Sequence, residues 1–215
     1  MVQKKPTSPA RTQAQRRSES EDKLIEAACE VLARKGLVGM TLAEVGQRAG
    51  VSRGLAAHYF SSKAGLVHAL TQRINKNFET HMRRVPTAAP GLARILQFID
   101  VYLGRKDQKW TTTRTLLLLI AESLTANSEN APVLAKYEEE MFKYLQDNIQ
   151  FGIDAGEIHG DVSPRVGAEM IIGSLRGMML QRLVEKETVD ASDIQEQMLR
   201  LVERALATNP RNVSP

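Results

Sequence analysis

The sequence predicts an all-α fold of about nine helices. Three observations carry that prediction. Apolar residues recur at helical spacing along most of the chain, polar caps and glycine stops fall at the ends of those segments, and strand-like alternation is lacking.

The length of 215 residues, with 42% hydrophobic and 25% charged side chains, allows one ordinary domain plus a small second one. The longest apolar block, Leu116 to Ala121, falls far short of the roughly 20 residues a membrane span needs, so no membrane partner is expected. The charged N-terminus lacks the apolar stretch of a secretory signal. The single cysteine, Cys29, cannot build an internal disulfide and fits a reducing cytoplasm. It lies on the core side of the first helix, as a small buried residue would. The net charge of +4 conceals a division: residues 1–84 hold 15 Lys+Arg against 7 Asp+Glu, residues 85–215 hold 14 against 18. A basic first third points to a polyanion at that end of the chain.

Each helix has its own signal. Residues 1–17, rich in Pro, Ser, Thr, Gln, Lys and Arg, are expected to form a disordered basic tail. The first helix is expected from about Glu19 to Lys35. Ser18-x-x-Glu21 is a capping box, Leu24, Ile25, Ala28, Val31 and Leu32 form the apolar face, and Gly36 is the stop. Thr41-x-x-Glu44 is a second box; it opens a short helix over about Leu42 to Ala49, which Gly50 ends. Ser52 caps a third helix running to about Tyr59. A fourth starts near Lys63, with Leu66, Leu70, Ile74 and Phe78 on one face. Past Pro86 and Pro90, a fifth carries Leu92, Ile95, Leu96, Ile99 and Leu103. The run Leu116 to Ile120, with Leu124, predicts a sixth helix buried all round. A seventh opens near Pro132 with Leu134, Tyr137, Met141, Leu145 and Ile149 on its face. Ser163-Pro164 starts an eighth that reaches about Val184. Asp190 caps a ninth, faced by Ile194, Met198, Leu201, Val202 and Ala205.

Residues 41–60 read TLAEVGQRAGVSRGLAAHYF. They describe a short capped helix, a tight turn Ala49-Gly50-Val51-Ser52, and a second short helix, with Leu42, Val45, Val51, Leu55 and Phe60 as the apolar side. That is the layout of a helix-turn-helix, whose second helix enters the DNA major groove. Arg53, in the first turn of that helix, suits guanine O6 and N7. Gly54 and Ala57 keep the helix surface thin. Thr41 and Ser52 offer hydroxyls and free N–H groups to phosphate. His58 and Tyr59 add two phosphate-capable groups, and Lys63 a positive charge.

Residues 20–70 resemble the DNA-binding domain of the TetR (tetracycline-repressor) family. The matching pieces are Thr41-x-x-Glu44-Val45, Ala49-Gly50-Val51-Ser52-x-Gly54 and His58-Tyr59-Phe60-x-Ser62-Lys63-x-x-Leu66. The resemblance implies DNA contacts at Thr41, Ser52, Arg53, Gly54, His58, Tyr59 and Lys63. The stretch from Gly152 through Gly156-Glu157-Ile158 to Ser163-Pro164 is similar to the family's junction between the seventh and eighth helices. The His-Tyr-Phe ending resembles a choline-responsive branch, although the C-terminal half names no ligand. The chain departs from the family at Gly46, where alanine is common and glycine costs roughly 1 kcal/mol of helix stability. It also departs at Ala56 and Ala57, where bulkier residues are usual, and at Ala64-Gly65.

The resemblance implies a helix-turn-helix domain over 18–63, a connecting helix over 63–84, a ligand-binding and dimerisation domain over 85–207, and a disordered tail over 208–215. The homodimer would form through the eighth and ninth helices, where Gly167, Gly173, Ser174 and Gly177 permit close approach and Met178, Met179 and Leu180 offer adaptable apolar surface. A small-molecule inducer would sit among Phe98, Tyr102, Trp110, Arg114, Tyr137, Met141 and Arg176, with Phe142, Tyr144 and Glu122 also within that set. The function implied is a repressor released from a palindromic operator by that molecule. No cofactor is expected. His68, His81 and His159 lack partners at metal spacing, so no metal is expected either. Glu138-Glu139-Glu140 is expected to be a solvated face. An enzyme would need a motif such as GxSxG, HExxH or GxxxxGK[ST], and the sequence contains none of these. A helical interaction module without DNA binding would have no use for the intact block from Thr41 to Lys63.

Overall fold

The computed structural model describes residues 12–104, 111–125, 128–184 and 190–210. Among the described residues there are nine helices: α1 (Gln13–Gly39), α2 (Leu42–Arg48), α3 (Arg53–Phe60), α4 (Lys63–Arg84), α5 (Leu92–Leu103), α6 (Thr111–Ser123), α7 (Ala131–Asp154), α8 (Pro164–Val184) and α9 (Ala191–Leu206). The only β pairing among them is a bridge between Ile158 and Ala207. The chain forms two compact units, one ending at Leu70 and one beginning at Thr71.

In the first unit α1, α2, α3 and the start of α4 supply a buried core that includes Leu24, Ala28, Val31, Leu32, Val45, Ala56, Phe60, Leu66 and Leu70. The apolar face expected for α1 is the buried one. Its start is earlier than expected. The Thr12 hydroxyl accepts from the Gln15 N–H at 3.2 Å, and the Gln15 side chain accepts from the Thr12 N–H at 2.9 Å. This complete capping box supersedes Ser18-x-x-Glu21, which falls inside the helix. Residues 12–17 are therefore not a tail; Gln, Ala and Arg are good helix formers and the Thr12 cap starts them off. The rest of the expected tail, residues 1–11, lies outside the described residues. Gly36, at φ 69°, ends the main run of α1 as expected, and after that kink a further helical stretch continues to Gly39.

The Thr41 box is half made. Thr41 Oγ1 accepts from the Glu44 N–H at 3.2 Å. The Glu44 carboxylate, however, turns to Lys35 at 2.6 Å and Arg34 at 3.3 Å, so two cations outcompete the N-cap backbone. These pairs, with a further one between Arg48 and Glu30, pin α2 to α1. Gly65 has a reason to be glycine: a Cβ there would sit 2.1 Å from the Phe60 carbonyl oxygen.

The second unit packs α5, α7, α8 and α9 and the C-terminal part of α4 around one core. The face expected for α7 is buried throughout. The expectation for α6 is corrected: Leu116 and Leu119 are buried, Leu117, Leu118 and Ile120 only partly, and Leu124 is 82% exposed. Four consecutive leucines cannot all face one core when each step turns the helix about 100°. Between α7 and α8, Gly156 takes φ 72° and Ile158 is buried. The His159 N–H donates to the Leu206 carbonyl at 2.9 Å and the Thr208 N–H to the Glu157 carbonyl at 3.0 Å. Thr208 Oγ1 donates to the Gly156 carbonyl at 2.8 Å. The tail expected from residue 208 thus begins with a pinned residue, and residues 211–215 lie outside those described.

Candidate nucleic-acid interface and regulatory cavity

The turn between α2 and α3 depends on Gly50, whose φ of +70° is the left-handed region that suits glycine. The Val51 N–H closes the turn on the Gly46 carbonyl at 3.0 Å. Ala56 and Phe60 anchor α3 in the core. At about 100° per residue, Gly54 and His58 fall on the opposite side, with Ala57 at its margin. Gly54, Ala57 and His58 are exposed there, and a Cβ on Gly54 would meet nothing within 4 Å. The Arg53 side chain is not among those described. Ser52 caps α3 with its backbone, and its exposed hydroxyl makes no capping bond. Thr41 is exposed at the start of α2. Lys63 is exposed at the start of α4, with Nζ 3.4 Å from the Val38 carbonyl. Tyr59 is half-buried, and its hydroxyl donates to the Arg17 carbonyl at 3.1 Å. Hydrogen bonding to Lys35 holds the Glu44 carboxyl below its usual pKa; desolvation works against this, and Coulomb attraction to Lys35 and Arg34 adds to it.

The second unit holds a cavity of about 250 Å³, open to solvent on one side and lined by Phe78, Glu79, Met82, Arg83, Phe98, Tyr137, Glu140, Met141 and Tyr144. Its rings form a connected cluster. Phe78 meets Phe98 edge-on at 5.3 Å, and Phe98 stacks on Tyr102 and tilts against Tyr144, each at 5.8 Å. Burial raises the pKa of Tyr144, with Arg94 acting against it. Three expected pocket residues, Phe98, Tyr137 and Met141, line the cavity, as does Tyr144. Tyr102 is outside its lining, buried against Phe98 and Phe78. Trp110 lies outside the described residues. Arg114 is exposed and does not line the cavity. Arg176 does not line it either: it pairs with Glu138 at 2.5 and 2.6 Å, both side chains about one-fifth exposed. Burial works against its charge, yet Glu138 and Tyr102 together raise the Arg176 pKa. In the acidic run Glu139 and Glu140 are exposed, as expected of a solvated face, while Glu138 departs from it by pairing with Arg176; Glu140 also borders the open cavity. Glu122 accepts from Ser128 Oγ at 2.8 Å, and Phe142 packs on the core.

Sequence reasoning missed the contribution of α4. Phe78, Glu79, Met82 and Arg83 reach the cavity, and the signal was present: the apolar stripe Leu66, Leu70, Ile74, Phe78 continues to Met82. Val166, Met170 and Ser174 of α8, Leu201 and Ala205 of α9, and Val162 just before α8 help line an open groove. Met170 is 67% exposed there and Leu201 65%. Gly173 and Gly177 are exposed, with no atom within 4 Å of where a Cβ would stand.

Residues 24–70 match the model for bacterial regulatory proteins of the tetR family, and residues 91–207 match that for the C-terminal domain of BetI-type transcriptional repressors. The chain is 29% identical over 128 residues to the HTH-type transcriptional regulator BetI of Paraburkholderia phymatum, a match covering 59% of this chain and 63% of BetI. It is 49% identical over 91 residues to the regulator CymR of Pseudomonas putida, covering 42% and 45%. The chain thus spans about half to two thirds of the length of these relatives. A transcriptional regulator from Saccharomonospora viridis in complex with choline shares the fold, with a TM-score of 0.77 at 18% identity over 89% of this chain and 100% of that one. The chain belongs to the tetR family of helix-turn-helix transcriptional regulators, with a C-terminal domain of the BetI type.

Proposed function

We propose that the protein is a homodimeric repressor that binds a palindromic DNA operator and is released from it by a small molecule. One observation carries the DNA half: the exposed face of α3 is built from Gly54, Ala57 and His58 behind the Ser52 cap, so a polyanion can come close to the backbone at a helix N-terminus. Arg53 reads guanine, while Ser52, Thr41, His58 and Lys63 anchor phosphates. The Tyr59 hydroxyl, engaged by the Arg17 carbonyl, is left out of that set.

The dimer forms across the α8–α9 groove, where Met170 and Leu201 are otherwise left in water. Two-fold symmetry then places half-sites about one DNA turn apart. The inducer occupies the aromatic cavity. Its rings and Glu140 suit a compact ligand with an apolar or cationic body, and choline, the ligand of the S. viridis regulator, has a cationic one. Such a ligand lowers DNA affinity by as much as it prefers the conformation that does not bind DNA. The cytoplasm is where the protein meets its operator.

Selection of bound duplexes from random DNA tests the reading. The expected product is a two-fold palindrome whose affinity falls steeply with salt. A folded dimer that retains no DNA at low salt overturns it.

A further inference from the structure

Two walls of the aromatic cavity are joined through one amide. Asn130, 3% exposed, stands immediately before α7. An asparagine there ordinarily caps its own helix, yet the Asn130 side chain makes no capping bond. Ser128 does that work instead, its Oγ accepting from the Ala131 N–H at 3.1 Å. The Asn130 side chain turns to α4, where its Oδ1 accepts from the buried Thr71 Oγ1 at 2.9 Å. At about 100° per residue, Thr71, Asn75, Phe78 and Met82 lie within about 60° of one another on α4. Phe78 and Met82 border the cavity from that helix; Tyr137, Met141 and Tyr144 border it from α7.

The join is incomplete. Asn130 Nδ2 and Asn75 Oδ1 are buried and make no hydrogen bond among the described residues. One is a donor and the other an acceptor, and each stays out of water without compensation. Asn75 lies one turn along α4 from Thr71, the residue that Asn130 already holds. Turning the Asn130 amide over would only change which of its atoms meets the Thr71 hydroxyl, and would leave Asn75 Oδ1 unpaired. Pairing the two orphans requires α4 to shift or roll against the start of α7.

We propose that Asn130 is a clasp between the two cavity walls. It holds α4 through Thr71 in the described arrangement, and through Asn75 in a second, less populated one in which the Phe78–Met82 wall has moved relative to α7. An occupant of the cavity selects whichever arrangement fits it better, so the clasp regulates entry. That role rests on the reading of the cavity as the ligand site, whereas the two arrangements belong to the empty protein.

The test follows the full chain by NMR relaxation dispersion and saturation transfer, with labelled methionine methyls and asparagine side-chain amides and without ligand or DNA. The Asn130 amide and the methyls of Met82 and Met141 should report one exchange process with a shared rate and population. Asn75→Leu removes the second partner and should abolish that process at all three sites. Thr71→Val removes the first partner and should raise the minor population roughly two- to tenfold, the effect of one ordinary hydrogen bond. Thr71→Ser keeps the hydroxyl and should match the native protein. Silent methyls beside an exchanging amide would show a local flip and overturn the clasp. Exchange that persists unchanged in Asn75→Leu overturns it as well, as does a native protein without exchange. Selection of bound duplexes decides the repressor reading separately, so either can fail without the other.

Discussion

Where the first unit brings backbone close to its surroundings, the second leaves room inside itself. In the first, Gly65 sits where a Cβ would strike the Phe60 carbonyl, Gly50 makes the turn, and Gly54 leaves the α3 surface open. In the second, rings from three helices border an unfilled volume, and the charged pair Arg176–Glu138 is largely taken out of water. The contrast separates two demands. A surface that reads DNA needs one fixed shape, supplied by small residues at fixed positions. A chamber that would admit the proposed inducer needs deformable walls, and aromatic and methionine side chains supply those.

The largest expected effect breaks the first unit. Gly65→Ala should cost about 3 kcal/mol, because the obstructing atom is backbone and cannot rotate aside. Denaturant unfolding should show a weakened transition for the helix-turn-helix with the other unit retained. Next, Glu138→Ala should cost about 2–3 kcal/mol by stranding the Arg176 charge. Replacing both, Arg176→Met with Glu138→Leu, should recover most of that loss; a double variant as unstable as the sum of the singles would show that the pair is not a unit.

A finer division lies within the first unit. Arg53→Ala should relax base preference by about 1–3 kcal/mol, while Lys63→Ala should weaken all duplexes alike and lower the salt slope by about one. Identical behaviour in competition binding would erase the distinction between reader and anchor. The smallest effect is that of pH. Because the Glu44 pKa is lowered in the folded state, its contribution is present above the unfolded value near 4.5 and is lost as pH falls through the folded one. Glu44→Gln should flatten the acid limb of the first unit's stability curve. The raised pKa of Arg176 gives the second unit no matching change in that range.

The same contrast explains what the sequence made legible. Caps, glycine stops and apolar spacing are local, so α2, α3 and the turn between them were readable to within a residue or two. The start of α1 was not, because Thr12 and Gln15 cap a stretch with no apolar rhythm. Pocket residues were harder still. Phe98, Tyr137 and Met141 look in sequence like ordinary core, and whether a ring borders a void depends on side chains from other helices. Arg176 shows the limit: its partner Glu138 lay in an acidic run that appeared to belong to solvent.

The short bonds that join residues 206–208 to the turn before α8 have one more consequence. They tie the C-terminal end of α9 to the turn between α7 and α8, so α9 cannot shift along its axis without breaking them. Amide protons of His159 and Thr208 should therefore exchange with solvent only through larger openings of the second unit, although both residues lie on its surface. The dimer proposed across the α8–α9 groove would gain from such a latch, because one wall of its surface would arrive already positioned.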